Sequence, residues 1–441
     1  MTQLLDDIQS AGIVGAGGAG FPTHVKFAQP CEYILLNGAE CEPLLQVDQQ
    51  IASTYTGKLM ETMERLVEVI KAKGGIFALK AKYHDAMKAI ETALPGHPTL
   101  CSHSLPNVYP AGDEQILVYE VLKRIVPEGG IPLAVDVVVL NMETLFNVGE
   151  AMEGHPVVDK FLTVNGEIHR PTTVRVPMGV SFAQVVDSCG GATIDNWVAL
   201  DGGPMMGRLV INPDEPVTKT TKGILILPRD HPLVISKGRR IDEMMRLAKI
   251  ACCHCMLCTD VCPRYLLGHK LHPDKLMRLA AYNRTCEKDV TATEAFLCCE
   301  CGLCEIACIM GLQPWKLNRE LKTKMAAVGI KNPHDDRPKA INPFRDFRGF
   351  PTSKLIHRLG LSAYAQKKAP LDEMLTVKGT SVTLLLKQHI GTPAKPQVSP
   401  GDRVHRGQLV AQGEGVVSAH VHSSVDGIVR SVTDKAIVVD R

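Results

Sequence analysis

The chain has 441 residues, of which 45% are hydrophobic and 22% charged, a composition typical of a globular protein rather than a disordered one. A formal net charge of +2 gives no reason to expect binding to nucleic acid or to an anionic membrane, and no apolar run approaches the roughly 18 residues of a membrane span. The acidic start, residues 1–7, is unlike a signal peptide, and the fifteen cysteines favour a reducing compartment. Both features predict a cytoplasmic protein.

A glycine-rich stretch near the amino terminus is the first candidate binding feature. It reads Gly15-Ala16-Gly17-Gly18-Ala19-Gly20-Phe21-Pro22-Thr23 and is followed by Lys26. Glycines let the backbone turn sharply and approach a phosphate, and the N-terminus of a following helix offers unpaired N–H groups to an anion. The stretch therefore predicts a phosphate-binding loop, with Lys26 as an added positive charge. A tight turn without a ligand is the alternative that the motif alone leaves open.

Strand and helix patterns alternate through the rest of residues 1–160. The predicted elements are a strand over 31–36, a helix over 46–73, a strand over 76–80, a helix over 83–94 and a strand over 135–140. Such alternation predicts a largely parallel sheet, and ligands of these sheets bind at the carboxyl ends of the strands. The polar residues that follow strand ends are Asn37, Glu40, Glu42, Asn141 and Thr144. Their common edge favours a binding site over separate capping or turn roles.

Residues 161–240 predict a small β-rich unit. Asn165-Gly166 lies between two strand patterns and predicts a hairpin turn. A short helix near 183–188 and a strand over 197–201 complete the unit. No cluster of titratable residues stands out in this stretch, so a structural spacer is the favoured interpretation.

Two groups of cysteines with the same spacing dominate residues 241–345. The first cysteine group is Cys252, Cys255, Cys258 and Cys262, and the second cysteine group is Cys298, Cys301, Cys304 and Cys308. This is the ligand frame of a ferredoxin with two [4Fe–4S] clusters, in which the fourth cysteine of each group binds the other cluster. The frame therefore assigns Cys308 to the cluster of the first group and Cys262 to the cluster of the second.

Other chemistry explains this frame less well. Structural zinc is usually held by two separated pairs of ligands, and adjacent cysteines make a poor disulfide framework. Cys253 and Cys299 lie outside the frame, and we interpret them as spare buried thiols.

The last third of the chain predicts a linker over 346–374 and a β-rich domain over 375–441. The stretches 400–410 and 424–429 resemble the barrel-sandwich fold of biotinyl and lipoyl domains. Such domains carry their cofactor on a lysine about midway between these two motifs. Gly413-Glu414-Gly415 holds that place here, so we expect a barrel without a prosthetic group.

Three motifs, at 15–26, 37–43 and 141–148, closely resemble the flavin-bearing, NADH-oxidising subunit of respiratory complex I, and still more closely the C subunit of the Rnf electron-transport complex. The resemblance implies that FMN is bound by the glycine loop and by residues around it, namely Gly15, Gly17, Gly18, Gly20, Lys26, Asn37, Glu40, Tyr109, Gly112 and Asn141. It also implies that Phe21, Glu42 and Glu114 face NADH. The sequence departs from the complex I pattern at Ala16, where complex I has Arg, and at Asp113, where complex I has Glu.

The order of domains, with the barrel at the carboxyl end, resembles the cobalamin reductases of propanediol-utilisation microcompartments. The resemblance implies the fold class: an α/β protein with a Rossmann-like flavin and NADH domain (1–160), a soluble-ligand-binding β-grasp module (161–240), a helical two-cluster ferredoxin-like domain (241–345), and the carboxyl-terminal barrel-sandwich domain. The Rnf C subunit carries its barrel at the amino end, so the present order is a rearrangement.

The chemistry implied by this resemblance is electron transfer from NADH through FMN and two [4Fe–4S] clusters to cobalamin, which is reduced for adenosylation. A corrinoid adenosyltransferase and a microcompartment shell protein are the implied partners, and the interior of a bacterial microcompartment is the implied location. The sequence has no Asp-x-His-x-x-Gly corrinoid motif. Two alternatives stay open: an Rnf-type subunit that feeds a ferredoxin or a membrane partner, and a non-enzymatic scaffold that holds clusters.

Overall fold

The computed structural model describes residues 2–281 and 290–441, whose strands form five sheets. Two four-stranded sheets, one six-stranded sheet, one three-stranded sheet and one strand pair make up this set. Among the described helices, none combines the length and the apolar character needed to cross a membrane.

A four-stranded, fully parallel sheet forms the core of the amino-terminal region. Its strands, in spatial order, are Leu100–Leu105, Gly74–Lys80, Tyr33–Gly38 and Val137–Asn141. The helices around it are Thr2–Ser10, Thr23–Lys26, Val47–Thr54, Thr56–Ile70, His84–Ala93, Glu114–Leu122 and Met142–Met152, with 3-10 turns at Leu94–Gly96 and Pro132–Val135. Every residue of the strand Gly74–Lys80 is buried, as expected for a parallel sheet covered on both faces.

The single helix predicted over 46–73 is wrong in one respect, because the chain forms two helices that meet at Tyr55. The hydroxyl of Thr56 donates to the carbonyl of Ala52 at 2.7 Å, and Gly57 follows directly. Hydroxyls that bond to the backbone and glycines both weaken a helix interior. Near its start, the first helix carries Asp48, whose carboxylate accepts from Asn141 at the carboxyl edge of the sheet, where Asn37 and Asn141 are register partners.

The second region is built on the six-stranded sheet. In spatial order its strands are Leu371–Asp372, Thr172–Pro177, Asp159–Gly166, Gly223–Pro228, Trp197–Asp201 and Arg208–Val210. The helix Phe182–Ser188 begins with a capping box between Ser181 and Gln184, and the helix Pro232–Gly238 leads out of the sheet.

The predicted hairpin is present, because the strands Asp159–Gly166 and Thr172–Pro177 pair antiparallel, but the prediction that Asn165-Gly166 forms its turn is wrong. Asn165 and Gly166 are the last two residues of the strand Asp159–Gly166, and the chain turns over 167–171. Gly166 has φ +100° and pairs in parallel with Ile226, whose carbonyl would clash with any Cβ at this position. The glycine is therefore required by the close approach of two strands.

The cysteine region is helical, as predicted. Its helices are Ile241–Ala251, Leu257–Asp260, Pro263–Leu266, Pro273–Ala281, Val290–Thr293, Leu303–Ala307 and Pro314–Ala327, with a 3-10 turn at Glu294–Leu297. Met244, Leu276, Ala295 and Leu317 belong to a common core between these helices. The cysteines stand mainly in the short connections and at the helix ends.

Residues 346–374 connect the cysteine region to the carboxyl-terminal region and pair with other parts of the chain. The strand Phe350–Pro351 pairs with Val108–Tyr109, and the strand Leu371–Asp372 pairs with Thr172–Pro177. Between them lie the helices Thr352–Arg358 and Ser362–Ala365, after a 3-10 turn at Arg345–Phe347. The connection is thereby fastened at both of its ends.

The carboxyl-terminal region packs a four-stranded sheet on a three-stranded one. The first contains Ser381–Leu385, Ala436–Asp440, Gly427–Val432 and Arg403–Val404, and the second contains Lys395–Pro396, Leu409–Gln412 and Val421–His422. Its buried interior includes Val382, Leu384, Val410 and Val439. The region docks beside the glycine loop, where the Ile390 N–H donates to the Gly20 carbonyl at 3.3 Å.

Candidate functional site

A cavity of about 470 Å³ lies at the carboxyl end of the parallel strands. This volume falls within the range of small-molecule and cofactor sites. All fourteen of the predicted cofactor-binding residues line it, namely Gly15, Gly17, Gly18, Gly20, Phe21, Lys26, Asn37, Glu40, Glu42, Tyr109, Gly112, Glu114, Asn141 and Thr144. The structure therefore brings this whole predicted set together at one place.

The glycine loop is held close to the end of the last parallel strand. The Ala16 N–H donates to the Thr144 hydroxyl at 3.0 Å. A Cβ added at Gly17 would lie 3.3 Å from the Cβ of Asn141, which leaves little room for a side chain. Gly20 adopts φ +67°, a conformation that favours glycine. Gly17 therefore allows the loop to lie close to Asn141, and Gly20 allows its left-handed turn.

Lys26 and Glu114 form an ion pair at the edge of the cavity. Lys26 Nζ donates to Glu114 Oε1 at 3.1 Å and to the Val139 carbonyl at 2.9 Å. Lys26 is about one-fifth exposed and Glu114 nearly half exposed. A partly exposed pair of this kind can exchange its partner for a ligand anion at low cost.

An ionic network that the sequence did not reveal lies at the floor of the cavity. The Asp48 carboxylate accepts from Lys222 Nζ at 2.6 Å and from Asn141 Nδ2 at 3.0 Å. Glu40 Oε1 accepts the N–H groups of Val47 and Asp48 at 2.6 and 3.1 Å. Burial, together with the Asp48 charge, raises the pKa of Glu40 to about 7.

Lys222 corrects the interpretation of residues 161–240 as a structural spacer, which was based on the absence of a cluster of titratable residues in that stretch. This lysine belongs to the second region and reaches Asp48 in the first. Neither Asp48 nor Lys222 belongs to a motif that the sequence analysis singled out. Their pairing depends on how the two regions dock, which no local pattern encodes.

Glu42 binds the second region through both of its carboxylate oxygens. They accept the N–H groups of Met205 and Met206 at 2.8 and 2.7 Å. Burial raises the pKa of the Glu42 carboxyl. Glu42 lines the cavity and at the same time fastens the 202–207 loop to it.

Tyr109 and Gly112 lie on the side of the cavity that faces the cysteine region. The Tyr109 hydroxyl donates to the Cys301 carbonyl at 2.6 Å, and it is buried. The Gly112 carbonyl accepts from Asn37 Nδ2 at 2.8 Å, and the Cβ position of this glycine is crowded by Ala39. The Tyr109 hydrogen bond joins the wall of the cavity to the second cysteine group.

Three residues of the cysteine region line the same cavity: Arg264, Cys299 and Cys301. Arg264 Nη2 donates to Asp113 Oδ2 at 2.8 Å. No sequence motif indicated Arg264, and Cys299 stood out only as a thiol outside the frame. Their position at the cavity follows from the docking of two regions, since Asp113 and Arg264 are 151 residues apart in the chain.

Within the part of the chain that the structure describes, four buried polar atoms at this cavity have no hydrogen-bond partner. They are Thr23 Oγ1, Glu40 Oε2, Gln115 Oε1 and Arg264 Nη1. Buried polar groups in folded proteins are nearly always hydrogen-bonded. The cavity is therefore suited to a ligand with both donors and acceptors, and a flavin ring with its ribityl and phosphate groups meets that requirement.

Two small cavities lie among the cysteines. Of the cysteines in the ligand frame, Cys252, Cys255, Cys258 and Cys308 line one, and Cys262, Cys298, Cys301 and Cys304 line the other. Each set contains three cysteines of one group and the fourth cysteine of the other. Cys253 and Cys299 border these cavities too, and the prediction that both are buried is wrong for Cys253, which is exposed. Burial is the main cause that raises the pKa of Cys258 to about 12, a cost that binding of a thiolate to iron would offset.

The two cysteine cavities differ in exposure. Cys301 and Cys304 are buried, whereas Cys255 is exposed and the neighbouring Met256 is 44% exposed. Cys299 and Cys301 also border the large cavity, but no cysteine of the first group does. One cysteine cavity therefore adjoins the large cavity and the other adjoins solvent.

Four family descriptions match successive parts of the chain. They are the Nuo51 FMN-binding domain at residues 8–150, the SLBB domain at 161–209, the 4Fe-4S dicluster domain at 251–313, and the RnfC barrel sandwich hybrid domain at 360–440. These matches confirm the predicted fold class. The chain thus has an FMN-binding domain and an iron–sulfur dicluster domain.

Relatives match over the full chain. Cobalamin reductase PduS of Citrobacter freundii is 42% identical over 99% of this chain and 96% of its own length, and cobalamin reductase PduS of Salmonella typhimurium (strain LT2) is 40% identical over 100% and 96%. The C subunit of the Na⁺-translocating ferredoxin:NAD⁺ oxidoreductase complex of Acetobacterium woodii is 34% identical over 59% of this chain and 57% of its own. Among solved structures, an NAD⁺-reducing [NiFe]-hydrogenase in the H₂-reduced state has a TM-score of 0.49 at 21% identity, covering 76% of this chain and 63% of that one.

Proposed function

Because this chain belongs to the family of PduS cobalamin reductases, we propose that it is an oxidoreductase that uses NADH to reduce cobalamin. The observation that carries the proposal is the shared wall between the large cavity and the second cysteine group, where Tyr109 donates to the Cys301 carbonyl at 2.6 Å. A flavin site and a cluster site in such contact suit electron transfer between them.

FMN is the flavin that we assign to the large cavity. Its phosphate would be held by the glycine loop and Lys26, and its polar ring atoms by the unpartnered groups of Thr23, Gln115 and Arg264. When bound, a flavin converts the two-electron hydride chemistry of NADH into the one-electron chemistry of clusters and cobalt. Phe21, Glu42 and Glu114 remain the residues proposed to face NADH.

The surrounding side chains supply orientation and proton storage. Lys26 and Glu114 hold each other at the edge of the cavity, and Glu42 closes its side against the 202–207 loop. Glu40 Oε2 can carry a proton near neutral pH, because burial raises the pKa of this carboxyl to about 7. Asp48 stays paired with Lys222 and keeps the Asn141 side chain oriented.

We propose two [4Fe–4S] clusters, with Cys298, Cys301, Cys304 and Cys262 binding one, and Cys252, Cys255, Cys258 and Cys308 binding the other. The cluster bound mainly by the second cysteine group would lie beside the flavin cavity, and the cluster bound mainly by the first cysteine group would lie beside solvent. Electrons would therefore pass from the flavin to the former cluster and then to the latter. The exposed Cys255 and Met256 mark the side where an acceptor can approach.

Cobalamin is the proposed acceptor, and a corrinoid adenosyltransferase and a shell protein are the proposed protein partners. The interior of a bacterial microcompartment remains the predicted location. An Rnf-type electron-transfer subunit is the second candidate, supported by the partial match to the C subunit of the Acetobacterium complex.

Anaerobic analysis of the purified chain tests the cofactors. We expect about eight iron atoms, about eight sulfides and one FMN per chain, and cluster EPR signals that appear after NADH is added. Zinc in place of iron, or an absence of flavin, would contradict the proposed centres.

Activity assays with NADH separate the candidate functions. We expect cobalamin reduction without a membrane partner, its loss in Cys301→Ser with FMN retained, and no change in Cys101→Ser, an exposed thiol outside the cysteine region. A fully loaded protein that reduces a ferredoxin and not cobalamin would favour the Rnf-type function. Full activity in Lys26→Ala and Glu42→Ala would instead favour a scaffold.

A further inference from the structure

Arg264 stands between the cysteine region and the flavin cavity. It lies in the helix Pro263–Leu266, two residues after the crossing cysteine Cys262, and its side chain is only 10% exposed. Arg264 lines the large cavity together with Cys299 and Cys301, and it also lines the small cavity of the second cysteine group. A cation from the cysteine region thus forms part of a cavity built mainly by the amino-terminal region.

The two terminal nitrogens of this guanidinium differ in their contacts. Nη2 donates to Asp113 Oδ2 at 2.8 Å. Among the residues that the structure describes, Nη1 is buried and has no hydrogen-bond partner. A buried charged group whose N–H has no acceptor carries a large desolvation cost. We therefore expect an acceptor in the cavity to take a hydrogen bond from Nη1.

Asp113 fixes the direction of Arg264. Its Oδ1 accepts the N–H groups of Gln115 and Ile116 at 3.1 and 3.2 Å, which caps the helix Glu114–Leu122. One carboxylate oxygen therefore anchors the aspartate, and the other holds the arginine. With this geometry, one side of the guanidinium is paired and its remaining donor is available to a ligand.

We propose that Arg264 is a flavin-binding residue, whose Nη1 donates to the bound flavin and favours its reduced form over its oxidised form. The proposal rests on the flavin site proposed above. A hydride from NADH brings two electrons and one proton, so NAD⁺ leaves and the flavin gains one negative charge. A guanidinium at low exposure binds that added charge more strongly than it binds the neutral ring.

The test compares the dissociation constants of oxidised and dithionite-reduced FMN in the full-length, cluster-loaded protein. In Arg264→Met we expect reduced FMN to bind about tenfold to hundredfold more weakly and oxidised FMN to change much less, as for loss of a hydrogen bond to a charged group. Arg264→Lys keeps the charge and should recover most of the difference between the two redox forms.

Arg345→Met is the matched control. Arg345 is similarly buried, with 15% of its side chain exposed, but it pairs with Glu120 and Asp346 and lies over the Tyr119 ring, outside the flavin cavity. We expect this variant to bind both forms of FMN as the unchanged protein does. Equal weakening of both forms in Arg264→Met, or no weakening, with iron content intact, would overturn the proposal.

Asp113→Asn provides a second test that does not remove the arginine. Asparagine keeps the helix cap but removes the charge that partly neutralises Arg264. The ratio of the two affinities should therefore move in the opposite direction, toward tighter binding of reduced FMN. An unchanged ratio in this variant would overturn the proposal even where Arg264→Met fails to fold.

The same experiments separate this inference from the proposed function. FMN binding that depends on Arg264 in a protein unable to reduce cobalamin would reject the function and leave the inference standing. The opposite result is also possible: the unchanged protein reduces cobalamin, but Arg264→Met binds oxidised and reduced FMN as Arg345→Met does. That result would reject the inference and leave the proposed function standing.

Discussion

Lys160 and Glu143 form an ion pair with almost no solvent contact, since each residue is 1% exposed. Lys160 belongs to the strand Asp159–Gly166 and Glu143 to the helix Met142–Met152, and Glu143 also accepts the Phe161 N–H at 3.1 Å. The pair therefore fastens the second region to the first. Its role is structural, although Glu143 stands in a motif that resembles flavoproteins.

Removing one partner of this pair should be costly. We expect Lys160→Met to lower the free energy of unfolding by about 3–5 kcal/mol, because Glu143 would be left buried and unpaired. The double variant with Glu143→Gln should recover part of that loss. Lys73→Met, which breaks an exposed pair with Glu32, should cost much less in the same urea titrations. Equal losses in the two single variants would contradict this assignment.

Glu40 should make stability depend on pH in a defined direction. Its folded-state pKa is raised from 4.5 to about 7, so between these values the folded chain keeps a proton that the unfolded chain releases. The contribution of Glu40 to the free energy of unfolding is therefore fully present below about pH 4.5, and it falls as the pH rises toward 7.

In Glu40→Gln the decrease in unfolding free energy with rising pH that Glu40 causes should disappear. We expect the unfolding free energy of the variant, relative to the unchanged protein, to rise by about 1–3 kcal/mol between pH 5 and pH 8, measured by urea unfolding at each pH. Glu68→Gln, which removes an exposed carboxylate instead of a buried one, is the control. Parallel pH curves for Glu40→Gln and the unchanged protein would refute the buried proton.

The sequence predicted well those site residues that belong to continuous motifs. It predicted poorly those that reach the cavity only through the docking of separate regions. The glycine loop and the polar residues after strand ends share an edge because parallel strands place their carboxyl ends together. Asp48, Lys222 and Arg264 escaped notice because each reaches the cavity from a different region. Family membership, expected from the motifs, is confirmed by the full-length relatives.

Among the structural elements, the glycine loop offers a sharp test. Gly20 has φ +67°, and an added Cβ would lie 2.9 Å from Thr220 Cγ2 and 3.1 Å from the His389 Cα. We expect Gly20→Ala to lower the free energy of unfolding by about 2–4 kcal/mol, from backbone strain and from crowding between three regions.

Gly15→Ala is the matched control in the same loop. The Cβ at this position would meet the Phe21 backbone at 3.6 Å, an ordinary contact, and the backbone is not left-handed. We expect a change within about 1 kcal/mol in the same unfolding experiment. A larger loss in Gly15→Ala than in Gly20→Ala would show that the docking of the loop is wrongly assigned.

At the scale of elements, one prediction failed because tertiary packing overrode a local pattern, and another because a local interruption within a periodic stretch was missed. Asn165-Gly166 has the composition of a hairpin turn, yet Gly166 ends a strand because the carbonyl of Ile226 needs the space of a missing side chain. The helix over 46–73 is interrupted at Tyr55 by neighbouring hydroxyl and glycine residues. The helical character of the cysteine region followed reliably, because its spacing constrains the chain directly.

The whole molecule is joined at Lys219, where three regions meet. This lysine is 3% exposed, and its Nζ donates to the carbonyls of Gly12 and His420, both at 2.6 Å. Burial lowers the pKa of Lys219 to about 7. The unfolded chain therefore holds a proton that the folded chain lacks between about pH 7 and pH 10.5, and the stability contribution should rise with pH across that window.

Loss of this lysine should loosen the carboxyl-terminal barrel. In Lys219→Met we expect at least tenfold faster hydrogen exchange over residues 413–420, because the carbonyl of His420 loses its partner, and a loss of the stability gain between pH 7 and pH 9. Lys435→Met, at an exposed position of the same barrel, should leave both measurements unchanged. Unchanged exchange in Lys219→Met would argue against a joint at this residue.

The sheet of the second region contains a strand from before the cysteine region, Gly223–Pro228, and one from after it, Leu371–Asp372. The cysteine region is therefore an insertion whose two stems are anchored in one scaffold. Fixed stems lower the entropy lost when the inserted chain closes. We expect the scaffold to fold before iron arrives, so that the clusters are assembled last and a chain stripped of iron by oxygen can be reloaded without unfolding as a whole.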